Sequence, residues 1–245
     1  MNLEGFPEQI KKDIEDQSLS ILERIKDDIV VIGGWAVRAL TTDKHGRYTL
    51  DIDGITDIKK MNKVESKLSA VGMNSRKSEW GTQFYHKYNS SVEIPEDIKG
   101  AVEQVELRIE ISGPRIKESQ TPHYFEFSLI EFEEREISYH LKNHMVRVKV
   151  PPAEHMAAVK LGLPVDYKNN FDLQVLLDIC DVDKVIEIIK ANDDWGKMVI
   201  RRIPKLIGRL SQKERLEHIL AVNKDINIKE HVDMMKYIEN KLKSK

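Results

Sequence analysis

The stretch IVVIGGWAVRALTTDKHGRYTLDIDGI, residues 29–55, governs how the rest of the chain is read. Residues 29–32 are apolar and β-branched, the composition of a short buried strand. Gly33 and Gly34 break that run, and residues 35–41 read as a short helix. Glycines let backbone come close to a ligand, and the N–H groups that open a helix attract an anion. A polar loop follows, carrying Lys44, His45 and Arg47, and then a strand over 48–55 with apolar Leu50 and Ile52 and carboxylates at Asp51 and Asp53. Strand residues two apart point to the same side. Two carboxylates placed together repel unless a cation sits between them, and hard oxygen donors suit magnesium or manganese. On this reading of the strand Thr49 shares their face. Its hydroxyl then meets a phosphate or a metal-bound water, although β-propensity alone also explains a threonine there. Glycine turn, cationic loop and paired carboxylates together describe a site for a metal–nucleoside triphosphate.

Working outward, Ile10, Ile14, Ile21, Leu22 and Ile25 form one apolar stripe, which predicts a helix over 7–27. Asp57 is placed to cap a helix that runs to about residue 71 and stops at Gly72. Strands are expected at 83–88, 105–112, 124–132, 136–140 and 145–150, with a turn at Lys142 and Asn143. Pro151 and Pro152 then open a region without strand patterning, because proline suits a helix's first turn. Helices are expected at about 152–161, 167–179, 182–191, 194–209, 212–222 and 228–243. The fold expected is α+β: a mixed sheet with flanking helices over 1–150, followed by an all-helical region over 151–245.

Composition narrows the classes. The chain has 245 residues, a net charge of −2, and no apolar run near the roughly 20 residues that cross a bilayer. Its first residues are polar and acidic, where a signal peptide starts basic and turns apolar. A single cysteine, Cys180, in the apolar stretch LLDICDV, points to a buried inert thiol and a reducing compartment, the cytoplasm. The eight histidines form no HExxH pair, so zinc chemistry is not expected. The near-neutral total hides an asymmetry: residues 196–245 carry 13 Lys and Arg against 6 Asp and Glu. Within them Arg201, Lys205 and Arg209 recur every four residues with Arg202 alongside, a helical stripe that suits RNA phosphates or, alternatively, neutralisation by nearby acids.

GGWAVRAL followed by RYTLDIDGI resembles the nucleotidyltransferase superfamily built on a polymerase-beta-like palm. The Arg-x-Thr-x-Asp-Ile-Asp wording is similar to the AbiEii toxin and related minimal-type branch, and GGWAV to the antibiotic-modifying nucleotidyltransferases. Downstream, VKVPPAEHMAAVKLGLPVDYKNNFDLQVLLDI, residues 148–179, resembles the segment that follows the palm in AbiEii-like proteins. The matching positions are Glu154, Lys160, Lys168 and Asp172. The resemblance implies that Lys160 reaches a triphosphate and that Asp172 supports the site. A surface lysine and a structural ion pair are the ordinary alternatives.

Such enzymes carry a third carboxylate on a neighbouring strand, able to ligate metal and accept a proton. In VELRIEIS, residues 105–112, Glu106, Arg108 and Glu110 share a face. Glu110 is the first choice, Glu106 the second and Glu126 the third, although the same alternation fits the solvated face of an antiparallel strand. The expected activity is transfer of a nucleotidyl group from a nucleoside triphosphate to a hydroxyl on RNA, protein or a small molecule. Arg47 or Lys160 would neutralise the leaving group. A nucleotide-binding or toxin–antitoxin interaction module with a protein partner is the alternative.

Overall fold

Helix α1 (Glu8–Ile25) buries Ile10, Ile14, Leu19, Leu22 and Ile25 completely, the stripe that its sequence spacing predicts. The computed structural model describes residues 3, 5–41, 46–79, 81–117, 123–212, 217, 219, 220 and 223–244. Contacts gather the chain into two units. The first comprises Met1–Trp35, Tyr48–Pro114 and Phe132–Val150; the second comprises Ala36–Arg47, Arg115–Glu131 and Pro151–Lys245. The chain therefore passes between units at five points.

The first unit is a mixed sheet of β1 (Val30–Ile32), β2 (Asp51–Ile55), β3 (Asn74–Lys77), β4 (Thr82–Lys87) and β5 (Glu106–Ser112), with the one-turn helix α4 (Lys99–Val102) between the last two. Their spatial order is β1-β2-β5-β4-β3. β2 and β5 run parallel and the other pairs antiparallel. One face is apolar: Ile52, Phe84, Leu107, Ile109 and Ile111 are all buried. Residues of α1 and of α3 (Met61–Ser69) complete that core, among them Ile10, Ile14, Val64 and Leu68. Asp57 caps the turn that leads into α3, accepting the Lys59 N–H at 2.9 Å, and Gly72 ends it at φ +79°. A hairpin of β8 (Glu133–Ser138) and β9 (Met145–Val150) packs its second strand beside β1.

α1 is unusual in burying acid groups as well as apolar ones. Asp13, Glu15 and Asp16 are each almost fully buried. Each accepts hydrogen bonds from a loop. Asp13 takes the Ser91 N–H at 2.9 Å, and Asp16 takes the His140 and Leu141 N–H groups at 2.7 and 2.8 Å. Buried carboxylates are tolerated only when so satisfied.

The second unit holds a short ribbon, β6 (Arg115–Lys117) with β7 (Tyr124–Glu126), and the helices α5 (Ala153–Gly162), α6 (Tyr167–Leu177), α7 (Val182–Ala191), α8 (Asp193–Leu210) and α9 (Ile228–Lys243). Among the described residues no strand follows Val150, so the α+β class and its helical C-terminal part are as expected. Trp195, fully buried, donates its indole N–H to the Ala158 carbonyl at 2.9 Å and stacks edge-on with Phe125 at 5.7 Å. His231 ties α9 to the C-terminal end of α6, bonding Gln174 at 2.8 Å and Asp178 at 2.7 Å.

Several expected bounds are corrected. β2 begins at Asp51 rather than 48, because residues 46–50 pair with no strand. The strand expected over 124–132 is only Tyr124–Glu126, and that at 136–140 is Glu133–Ser138. β3 and β6 carry no apolar alternation to betray them; β3 is exposed along its whole length. Most of the helix expected at 212–222 lies outside the described residues.

A Cβ added at Gly162 would lie 2.3 Å from the Trp195 ring, inside van der Waals contact. Gly162→Ala is therefore expected to cost about 1–3 kcal/mol, the usual range for overpacking. Urea unfolding followed by tryptophan fluorescence checks this, and an unchanged midpoint would contradict it.

Candidate active site

The face of the sheet opposite the core is polar. The parallel register sets Asp51 beside Arg108 and Asp53 beside Glu110. Antiparallel pairing of β4 with β5 extends the rows to Tyr85 and Gln83. Paired residues on adjacent strands point the same way, and adjacent strands lie about 4.8 Å apart. Asp51, Asp53 and Glu110 therefore share one open face, while Ile52, Ile109 and Ile111 between them fill the core. Asp51 is exposed, and Asp53 and Glu110 are half-buried.

The glycine turn meets this face through β1. Ile32 pairs with Asp53, so the next residue, Gly33, arrives against the Asp53 side chain. Gly33 has φ +68°, a left-handed conformation that L side chains rarely adopt. A Cβ there would also lie 2.3 Å from Asp53 Oδ2. Two independent constraints thus require glycine. Gly33 is the first residue of helix α2 (Gly33–Thr41), so the Asp53 carboxylate stands at the positive end of that helix. Gly34 follows inside the same turn, buried, and Trp35 is completely buried.

Glu110 and Glu106 differ in their company. Glu110 Oε1 accepts a hydrogen bond from the Ser78 hydroxyl, and Ser78 Oγ accepts the Gly81 N–H at 3.0 Å. Glu106 lies four residues back from Glu110 along β5, beyond the rows that pair with β2, and takes both Nε and Nη2 of Arg108 at 3.1 and 2.9 Å. Glu126 stands in the β6–β7 ribbon, where Arg115 bonds it at 3.1 Å.

Thr49 is not on the strand face expected for it. It lies ahead of β2 and is buried, donating its N–H to Glu15 Oε1 at 2.6 Å. The other oxygen of that fully buried carboxylate meets His140 Nε2 at 2.6 Å. Glu15 thus fixes the segment that feeds Asp51. Sequence reasoning passed over Glu15, His140 and Ser78. Only the clustering of acids at 13, 15 and 16 on an otherwise apolar stripe hinted at the first.

In the second unit, Asp172 is fully buried between two cations. Arg47 Nη2 bonds its Oδ1 at 2.7 Å and Lys160 Nζ its Oδ2 at 2.8 Å. Lys160 also reaches Asn169 Oδ1 at 3.0 Å and is 6% exposed, so it is not a surface lysine. Glu154 accepts the Asp181 N–H at 3.3 Å, and Lys168 is exposed. Lys44 and His45 lie outside the described residues. Burial, reinforced by Glu154, pushes the Cys180 thiol up to about 12, so it stays protonated and is no nucleophile at neutral pH.

Among the described residues no three His, Cys, Asp or Glu side chains are gathered to hold an ion by themselves. That does not disqualify magnesium, which is commonly held by one or two carboxylates with water and substrate phosphates completing its shell. Asp51 and Asp53, hard donors on one open face beside a backbone cradle, fit that demand. Nor is any helix among the described residues long and apolar enough to cross a membrane.

No family model and no curated protein matches the chain. Twelve chains of solved structures are similar to it, three of them as follows. MenT4, a nucleotidyltransferase toxin from Mycobacterium tuberculosis H37Rv, aligns at 14% identity and a TM-score of 0.48 over 96% of this chain and 84% of that one. The solution structure of the antibiotic-resistance factor ANT(2'')-Ia aligns at 14% identity and 0.47, over 72% of this chain and 90% of that one. The same factor in complex with adenylyl-2''-tobramycin aligns at 15% and 0.44, over 73% and 97%.

Gly33→Ala should lose about 1–3 kcal/mol of stability through backbone strain and the clash with Asp53. Denaturant unfolding measures it, and a stability equal to that of the parent chain would show that the turn does not need glycine.

Proposed function

We propose that the first unit is the catalytic centre of a metal-dependent nucleotidyltransferase. The observation that carries this is the close approach of Gly33 to Asp53, which joins a left-handed glycine turn at a helix start to a strand with paired carboxylates. Glu110 in register on the neighbouring parallel strand supports it. Asp51 and Asp53 would hold magnesium or manganese, which supplies charge neutralisation for a triphosphate when bound. The N–H groups opening α2 at Gly33 and Gly34 would donate to phosphate oxygens. Glu110, steadied at one oxygen by Ser78, would accept the proton of the acceptor hydroxyl at the other. The acceptor oxygen then bonds the α-phosphorus, the bond to the β-phosphate breaks, and pyrophosphate leaves.

The acceptor is a hydroxyl of RNA, of a protein or of a small molecule, in a cytoplasmic setting that suits a lone protonated thiol. A second reading, a nucleotide-binding module such as one half of a toxin–antitoxin pair, is favoured by the absence, among the described residues, of a third His, Cys, Asp or Glu gathered with Asp51 and Asp53. Radiolabelled transfer from each of the four triphosphates to total RNA, protein and small hydroxylated acceptors separates the two. Magnesium-dependent binding with no incorporation into any of them selects the module.

Asp51→Asn and Asp53→Asn are each expected to lower transfer by roughly two orders of magnitude or more, as loss of several kcal/mol of charge stabilisation requires. Circular dichroism should show the fold retained, since removing one carboxylate relieves repulsion. Parent-level transfer in either variant would move the site elsewhere.

Glu110→Gln should cost about 10²–10⁴ in turnover, the usual worth of a general base. Glu106→Gln should cost far less, because Glu106 is occupied by Arg108. Equal losses, measured as kcat in the same assay, would remove Glu110 from the mechanism.

A further inference from the structure

The cations of the second unit are unevenly occupied. On α8, Lys197 is paired with Asp194 at 3.0 Å, and on α9 Lys236 and Lys243 have acidic partners while Lys241 lies over the Tyr237 ring. Arg201, Lys205 and Arg209, like several isolated lysines of this unit, make no ion pair and no side-chain hydrogen bond among the described residues, but they alone of these follow one another along one cavity. They stand four residues apart on α8, so they share one face with a rise of about 6 Å between successive members. Three like charges in such a row repel one another, and nothing in the described structure offsets that cost. Arg202 adds a fourth cation at the same place.

These four residues line a cavity of about 360 Å³ whose remaining wall is Pro164, Val165 and Met198. The volume lies in the range of small-molecule sites and exceeds what a lone phosphate needs. Its chemistry has two parts: an apolar wall against which a flat ring can lie, and a line of cations running past it. A free nucleotide would use the wall and one or two cations. A strand of linked nucleotides uses the wall for one base and the whole line for successive phosphates. We infer that this groove on α8 binds a single-stranded phosphodiester chain, an inference that does not rest on the transfer proposed above.

The test is fluorescence anisotropy of a labelled short single-stranded RNA with the full chain, across a salt series. Affinity should fall with salt by about 0.7 logarithmic units per tenfold for each phosphate neutralised. The triple variant Arg201→Gln, Lys205→Gln, Arg209→Gln should reduce that slope by about 2 and weaken binding at least tenfold at low salt. Matching thermal melts establish that the variant is folded. Arg201→Lys with Arg209→Lys, which keeps the charge, should keep the slope, and Lys236→Gln with Lys243→Gln should leave it unchanged.

No binding at low salt, or a slope indifferent to the triple variant, would overturn the proposal. So would equal competition by inorganic tripolyphosphate at matched phosphate concentration, which would mark a free-polyphosphate site. Capture by anionic vesicles in place of the strand would do the same. If the chain binds the strand through these cations but transfers nucleotide to no acceptor, the transfer reading fails and the groove stands. If it labels a small hydroxylated acceptor and ignores the strand, the groove fails and the transfer reading stands.

Discussion

The Asp53 carboxylate occupies the space that any side chain on Gly33 would need. That contact requires three things at once: antiparallel pairing of β1 with β2, a left-handed backbone at Gly33, and the start of α2 immediately after it. Each restricts the others. A β1 of only three residues must end where the helix begins, or the first turn of α2 would not lie beside the carboxylate. The backbone donors of a helix start and a strand carboxylate are thereby held at one point with no intervening side chain, which is what a charged, phosphate-bearing ligand demands.

The surroundings of that point are organised by carboxylates hidden in α1. Glu15 holds the backbone ahead of Asp51, and Asp13 and Asp16 hold two further loops of the same unit. A buried acid costs several kcal/mol unless its oxygens are used, so these side chains specify the loops they bind as firmly as apolar contacts specify the core. In the second unit Asp172 plays the equivalent part between Arg47 and Lys160. Each of its two oxygens is taken by one cation, and both cations lose their freedom in return.

Charge is then distributed in two different ways along one chain. The cations around Asp172 are buried and bound to it. Those at 201, 205 and 209 face a cavity and are bound to nothing in the described structure. Buried pairs of the first kind explain architecture, while an unneutralised row of the second kind has no architectural use and stores repulsion that an anionic ligand would relieve.

Period alone made β2, β5 and the helices of the C-terminal region legible, because burial on one face repeats every two residues in a strand and every three to four in a helix. The same rule put Asp51 with Asp53 and Arg201 with Lys205 and Arg209. It erred at Thr49, where apolar neighbours extended the strand past its true start. It was silent on β3, whose exposed residues have no alternation to read. Local period carries no information about which strand lies beside which. That Glu110 stands opposite Asp53 follows from a parallel pairing between segments more than fifty residues apart. The Ser78 bond to Glu110, the Glu15 bond to Thr49 and the seating of Arg47 and Lys160 on Asp172 are likewise long-range choices. They are settled only when packing fixes the distances over which hydrogen bonds and ion pairs act, and those distances do not exist in an unfolded chain.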